Sequence, residues 1–399
     1  MILSKLFEWR KFSLPFAGVV FHLLKFNPFR CKQIWLFGCW MGEKFDDNSK
    51  FLFEYVCKNH PEIRCIWITR KASVCEQVQS LGYECYISSS LKGVLYMLRG
   101  GVAIMTNGLD DFSRIPFIGG AKIVALWHGV GGFKKIYNEN YSGLKLRLKK
   151  MTDFFFSWTH RDISLGTSEY TAECVMEQFG GARDSIIITG QPRNDLFRDE
   201  NIDRKAVLED LLDADYAKVV LYMPTYRVNP KTQKDVVKEI LETLVSSLKF
   251  LAYLKQNSIL FLTKLHPLTK FSIDVPIKNF KILDDKKVAS VQHLLKVSDC
   301  LVTDYSSCCV DYALLHRPIV FFVPDETDYL SYSAVNDAYA EVVQEKAKNV
   351  DELVNLLTAG KIEQANLLNS IFEDDSISGT CYCENTYKGI CEKCKVGIQ

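Results

Sequence analysis

The sequence predicts an α/β protein made of two parallel sheets in succession, each covered by helices on both faces. Three observations predict it. From Gln33 onward short apolar runs alternate with helical stretches, the rhythm of a parallel sheet whose crossovers are helices. The rhythm breaks at Asp199–Lys205, a charged and non-periodic stretch, and then starts again. A chain of 399 residues with 48% hydrophobic content is also long enough to bury two cores.

In chain order, residues 1–32 form a basic N-terminal segment, with Lys5, Arg10, Lys11, Lys25, Arg30 and Lys32 against the single acid Glu8. The apolar run Leu14–Leu24 within it is too short to cross a bilayer. It reads either as a basic amphipathic segment lying on an anionic membrane surface or as a helix packed on the domain with a solvated charged face. Strands follow at Ile34–Phe37, Cys65–Thr69, Val102–Thr106, Lys122–Trp127 and Ile186–Thr189, giving a first domain over 33–198. A second set, Val219–Met223, Ile259–Thr263, Phe280–Leu283, Leu301–Thr303 and Ile319–Val323, gives a domain over 199–372, with Asp235–Lys255 helical. Residues 373–399 are set apart as a Cys-rich tail.

Composition narrows the function. Lysine plus arginine (49) nearly cancels aspartate plus glutamate (48), which argues against nucleic acid as a partner and leaves basic character local. No cleavable secretory signal and no run of about 18 apolar residues is visible, so the chain is expected inside the cell without spanning the membrane. Fourteen cysteines fit that placement as reduced thiols in cores. Cys381, Cys383, Cys391 and Cys394 are the clustered ones. They suit a structural zinc by number, but not by their C-x-C opening or by their lack of an interleaved histidine.

In open parallel sheets ligands bind outside the carboxyl ends of the strands, so polar residues just after an apolar run are the candidates. Val297–Asp328 reads as a strand, turn, helix and strand, with Thr303, Asp304, Tyr305, Ser306 and Ser307 in the turn. Free N–H groups and hydroxyls there suit a phosphate, while Asp304 or Ser306 as a plain helix cap is the competing reading. His128 follows the strand ending at Trp127 and precedes Gly129, Gly131 and Gly132, and His266 follows the strand ending at Thr263. Each alone reads more often as a structural histidine. Two strand-end histidines, one per domain on a shared cleft with a phosphate-type turn, favour chemistry. Arg193 and Arg227 also stand after strands and could fork onto phosphate or pair with a carboxylate such as Asp195. Gly166-Thr167-Ser168-Glu169 reads as a helix N-cap. Lys134 to Lys150, with Phe154–Phe156, is a second basic and aromatic stretch. It suits an anionic lipid or polyanion, or a solvated helix face running into a buried strand.

Taken together, these motifs resemble the CDP-glycerol glycerophosphotransferase family, enzymes that build teichoic acids and polyol-phosphate capsules. The resemblance rests on Asp47–Lys50, Trp127-His128-Gly129 with Lys134 and Lys135, Gly166–Ser168, Gly190–Asp195, Tyr222–Arg227, His266-Pro267, and Thr303–Ser307 with Asp311 and Arg317-Pro318. It runs from about Ile34 to Tyr329 in matching order. After His128 the chain departs from it, with Val130-Gly131-Gly132 where Thr-Pro-Leu is usual, and this bears on acceptor preference.

The resemblance implies the GT-B architecture, two Rossmann-like domains around a central cleft, with the nucleotide held mainly by the second. It implies attack of an acceptor hydroxyl on the β-phosphorus of CDP-glycerol or CDP-ribitol, releasing CMP. His128 is the expected base, and His266, Arg193, Arg227, Thr303, Ser306 and Ser307 are the expected donors to the diphosphate. Asp304 is expected to orient the turn or His266, and Asp311 to hold the ribose or fix its helix. Gly129, Lys134 and Lys135 are assigned to the acceptor loop. No obligatory metal is expected, although magnesium could assist the diphosphate. The acceptor expected is a lipid-linked saccharide or a growing polymer at the cytoplasmic face of the membrane, with the enzyme bound peripherally. Competing expectations are a sugar-nucleotide glycosyltransferase or epimerase of the same fold, and a non-catalytic scaffold of a polysaccharide assembly complex.

Overall fold

The computed structural model describes residues 19–396, apart from 116, 136–146, 148–159, 210, 212–215, 230, 231, 234, 267, 268, 270 and 284–289. The chain divides into two compact units: Met1–His128 with Asn140–Asp195 and Asp375–Gln399, and Gly129–Glu139 with Leu196–Asp374.

Unit 1 carries strands β1 (Cys31–Phe37), β2 (Arg64–Thr69), β3 (Cys85–Ile87), β4 (Gly100–Met105), β5 (Lys122–Ala125), β6 (Ile163–Gly166) and β7 (Ile186–Ile188). They form one parallel sheet in the order β3-β2-β1-β4-β5-β6-β7. The period of two sorts its side chains onto two cores. Trp35, Phe37, Trp67, Val102, Ile104 and Val124 point to one face, and Ile34, Leu36, Ile66, Ile68, Ala103 and Met105 to the other. Both faces are apolar, so the strands read as continuous hydrophobic runs. β4 fits so closely against β1 that a Cβ at Gly101 would stand 2.5 Å from the Cys31 carbonyl oxygen.

Unit 2 repeats the plan with β8 (Lys218–Met223), β9 (Ile259–Lys264), β10 (Phe280–Leu283), β11 (Cys300–Thr303), β12 (Ile319–Phe322) and β13 (Lys346–Ala347). Their order is β10-β9-β8-β11-β12-β13, again all parallel. In each sheet the order reverses between the first and fourth strands. The crevice at such a reversal is where a doubly wound fold takes its ligand.

Every strand expected from the sequence is present. β3, β6 and β13, of three, four and two residues, were not anticipated. The stretch expected as one helix, Asp235–Lys255, is two, Val236–Ser246 and Leu248–Gln256. Ser247 breaks it with extended backbone and caps the second helix, its hydroxyl accepting from Phe250 N at 3.3 Å.

The residues read as a tail fold into unit 1. Its helix Tyr382–Cys394 places Tyr387 and Ile390 in the same core as Trp35 and Phe53. Asp195 fixes the start of that helix, accepting from Tyr382 N at 2.8 Å, Cys383 N at 2.7 Å and Cys381 Sγ at 3.3 Å. The thiols thus face oxygen acceptors and apolar side chains, and among the described residues no group of three or more metal-ligating side chains converges. Nor is any described helix long and apolar enough to cross a membrane. Residues 1–18 of the basic N-terminal segment, and the basic and aromatic stretch from 136 to 159 except Arg147, lie outside the described residues.

Candidate active site

Unit 1 builds its site around His128, at the end of β5. Asn48 ties three chain segments together: its amide donates to the Trp127 carbonyl at 2.9 Å and to Gln191 Oε1, and its Oδ1 accepts from Arg193 N at 3.1 Å. Beside it Asp47 and Arg193 form a buried ion pair at 2.7 Å. The loops after β1 and β4 are fixed by Asp111, whose carboxylate accepts from Met41 N at 2.6 Å and from Thr106 N and Asn107 N, each at 2.8 Å.

His128 itself is half-buried, with Trp127 at 4.3 Å and Trp40 at 5.6 Å between ring centroids. Burial holds its imidazole below the ordinary value; Asp47 pulls it up and Arg193 pushes it down. Its Nδ1 is shielded from solvent and has no hydrogen-bond partner among the described residues. The result is an imidazole that stays neutral at physiological pH, able to take a proton from a hydroxyl.

The backbone around it is strained. Trp40, Met41, Asp47 and Trp127 have φ of 47°, 57°, 61° and 63°, four of the eight non-glycine residues with positive φ among the described residues. Such conformations cost roughly 1–3 kcal/mol each and persist where the surroundings over-determine them.

Unit 2 builds its site where β8 and β11 end. Asp304, fully buried after β11, accepts from Thr225 N at 2.9 Å and from Tyr305 N at 2.5 Å, and pairs with Arg227 Nη1. Arg227 Nε and Nη2 fork onto Asp325, each bond 2.7 Å, and its Nη1 also donates to the Thr225 carbonyl at 2.8 Å. The Tyr305 and Tyr329 rings flank the guanidinium at 5.3 and 5.7 Å. Burial works against the Arg227 charge, but Asp304 and Asp325 outweigh it and hold the guanidinium above its ordinary value.

The expected site residues therefore divide. Asp304 orients the turn, as anticipated, though through Thr225 and Arg227. Arg227 is a correction: its guanidinium is enclosed by two carboxylates and a carbonyl, so it braces the turn from behind instead of reaching phosphate. Arg193 lies in unit 1 beside His128, paired with Asp47. Thr303 Oγ1 donates to the Met223 carbonyl at 2.8 Å, pinning β11 to β8. Ser306 and Ser307 stay half-exposed on the turn. Asp311 is buried on the helix Cys308–Ala313, with the Gln292 amide at 3.5 Å. His266 is exposed after β9, its ring stacked at 5.7 Å on Tyr226.

Gly129, Lys134 and Lys135 leave unit 1 altogether and join unit 2, where Lys134 pairs with Val335 in an antiparallel bridge. Ser168 is the helix cap it was read as, its hydroxyl accepting from Thr171 N and the Thr171 hydroxyl accepting from Ser168 N. Asp325, Thr225, Asn48 and Gln191 were not singled out for the site. Asn48, Gln191 and Thr225 lie within the motifs Asp47–Lys50, Gly190–Asp195 and Tyr222–Arg227, and Asp325 is an acid shortly after a buried strand.

A family model described as CDP-glycerol:poly(glycerophosphate) glycerophosphotransferase matches residues 19–373. Among curated relatives, the teichoic acid poly(ribitol-phosphate) polymerase of Bacillus spizizenii is 31% identical over 67% of this chain and 44% of its own length. The teichoic acid poly(glycerol phosphate) polymerase of Bacillus subtilis is 26% identical over 76% of this chain and 40% of its own length. The chain thus spans less than half of each of these two relatives. The solved wall teichoic acid polymerase TagF has the same fold, with a TM-score of 0.71 at 20% identity over 97% of this chain and 95% of that one. This likeness gives the GT-B class that two doubly wound units lead one to expect. With strand-end residues in the order the motifs require and a family match over most of its length, the chain belongs to the CDP-glycerol:poly(glycerophosphate) glycerophosphotransferase family.

Proposed function

We propose that this protein transfers a polyol phosphate, glycerol phosphate foremost, from a CDP-polyol to an acceptor hydroxyl on a lipid-linked saccharide or growing polymer. The acceptor oxygen bonds to the β-phosphorus, the bond from that phosphorus to CMP breaks, CMP leaves, and the hydroxyl proton passes to His128. The observation that carries the reading is His128 itself: a desolvated, neutral imidazole whose Nδ1 has no partner among the described residues, held at a strand end by strained backbone. Unit 2 holds the donor on the turn Asp304–Ser307, with His266 as a further donor to the diphosphate. The product is a teichoic-acid-like or capsular polymer. Magnesium can serve the diphosphate as a counter-ion without being obligatory, so activity is expected to survive chelation.

Purified protein with a membrane-derived acceptor is expected to release CMP from CDP-glycerol, and from CDP-ribitol more slowly. His128→Ala is expected to lose about 10²–10⁴-fold in rate, the usual contribution of a positioned base. Undiminished release in that variant would remove His128 from the chemistry. The relative rates with the two donors decide the polyol.

The site of action we infer is the cytoplasmic membrane face. Leu23, Phe26 and Phe29 are 66%, 86% and 76% exposed beside Lys25, an apolar and basic edge suited to an anionic lipid surface. Sedimentation with anionic but not zwitterionic vesicles is the expected result. Equal neglect of both would count against peripheral binding.

A further inference from the structure

The segment after His128 was expected to serve the acceptor, yet it is built into the unit that holds the turn. Phe133 is buried against Tyr339 at 5.3 Å, Phe372 at 6.1 Å and Phe321 at 6.3 Å. Lys135 N donates to the Ala334 carbonyl and Asn336 N to the Phe133 carbonyl, each at 3.3 Å. Lys134 stands between these anchors, and its Nζ donates to Thr225 Oγ1 at 3.2 Å. Thr225 is the second residue after β8, and its N–H is held by Asp304, the first residue after β11. The ammonium is thereby seated on the rim where the sheet order reverses, the crevice in which doubly wound folds hold phosphate groups.

We propose that Lys134 is a binding residue for the donor's diphosphate, resting on the CDP-polyol reading above, and that it belongs to the nucleotide site and not to the acceptor loop. Arg227 cannot fill that role, enclosed as it is by Asp304 and Asp325. Those three groups sum to one negative charge, and Lys134 brings the cluster to neutrality before any donor arrives. A diphosphate would then meet an ammonium directly, with the hydroxyls of Ser306 and Ser307 on the same turn.

The charge of Lys134 responds to pH. Burial lowers it to about 8; Asp304 raises it, Arg227 lowers it, and the thiols of Cys308 and Cys309 raise it. Thr225 faces it as a neutral hydroxyl, and Asp325 lies behind Arg227. A bound diphosphate favours the protonated form, so the affinity gained from Lys134 is complete below pH 8 and declines as pH rises through it.

The test is calorimetric binding of CDP-glycerol, whose diphosphate diester does not itself titrate near neutrality, to the full chain at pH 7 and pH 9. The wild type is expected to bind about tenfold more weakly at pH 9, the ratio set by deprotonation of a group near pH 8 that the ligand holds charged. Lys134→Met is expected to bind equally at the two pH values and more weakly than the wild type does even at pH 9, because the wild type still gains from the ammonium that the ligand reprotonates. Lys134→Arg, which stays charged, is expected to restore the affinity and keep it flat. Cytidine, which lacks phosphate, is expected to bind all three alike by saturation-transfer NMR. If Lys134→Met binds CDP-glycerol like the wild type, the proposal is overturned while the donor reading stands. Equal loss of cytidine and CDP-glycerol in that variant would overturn it too, since a strap that merely folds the unit predicts that pattern. If the wild type binds neither CDP-glycerol nor CDP, the donor reading fails and takes this proposal with it.

Discussion

Asp47 turns its carboxylate onto Arg193 from a left-handed backbone, with φ 61°, and the pair is almost closed to solvent. Removing one member of such a pair strands the other charge. Arg193→Met is accordingly expected to lower stability by about 3–5 kcal/mol, read from the urea midpoint. An unchanged midpoint would show that Asp47 has other compensation. The same carboxylate acts on the His128 imidazole, the base in the proposed reaction. Because Asp47 pulls the His128 imidazole upward against burial, Asp47→Asn moves the acid limb of the pH–rate profile to lower pH. In the wild type that limb is expected below about 6.5, the ordinary imidazole value, with the rate at saturating donor level above it. A limb that stays in place in Asp47→Asn would separate the two residues. What the sequence made legible at this scale was the histidine, because a polar residue directly after an apolar run is visible without partners. The partners were not. Asp47 is 146 residues from Arg193, and nothing in local spacing announces that a guanidinium read as a phosphate donor closes on a carboxylate so distant.

At the scale of elements, the strands were legible because both faces of each sheet are covered and the central strands read as unbroken apolar runs. Strands β3, β6 and β13 were not, nor was the break at Ser247, since one extended serine does not interrupt an apolar pattern. The connection after β7 shows what such small elements demand. Gly190 has φ 77°, and a Cβ there would lie 2.3 Å from the Tyr382 ring. Gly190→Ala therefore meets both a disfavoured backbone and an overpacked contact, the latter alone worth about 1–3 kcal/mol. A thermal unfolding midpoint equal to the wild type's would mean that the helix start at Tyr382 gives way freely. Replacing Tyr382 by Ala in the same chain is expected to relieve the contact and leave the backbone term.

For the whole molecule, the sequence showed two α/β halves but not how the chain is shared between them. A linear reading cuts once near residue 199, whereas the chain passes between units at His128, Glu139, Asp195 and Asp374. Unit 1 depends on its last segment: Tyr387 stacks on His60 at 3.5 Å, and Asp195 takes its donors from Cys381, Tyr382 and Cys383. A chain stopped after Asp374 is expected to lose amide-exchange protection in the helix Asp47–Asn59 while the helix Val236–Ser246 keeps its own. Equal protection in both would make the segment dispensable.

The strap carrying Phe133 and Lys134 has a consequence for recombination between relatives. A chimera joined at a single point near residue 199 would combine one parent's strap with the other parent's sheet, separating Lys134 from the Thr225 of its own parent. The units that can be exchanged intact are discontinuous in sequence. Residues 129–139 must travel with 196–374, and 375–399 must stay with the unit that carries His128.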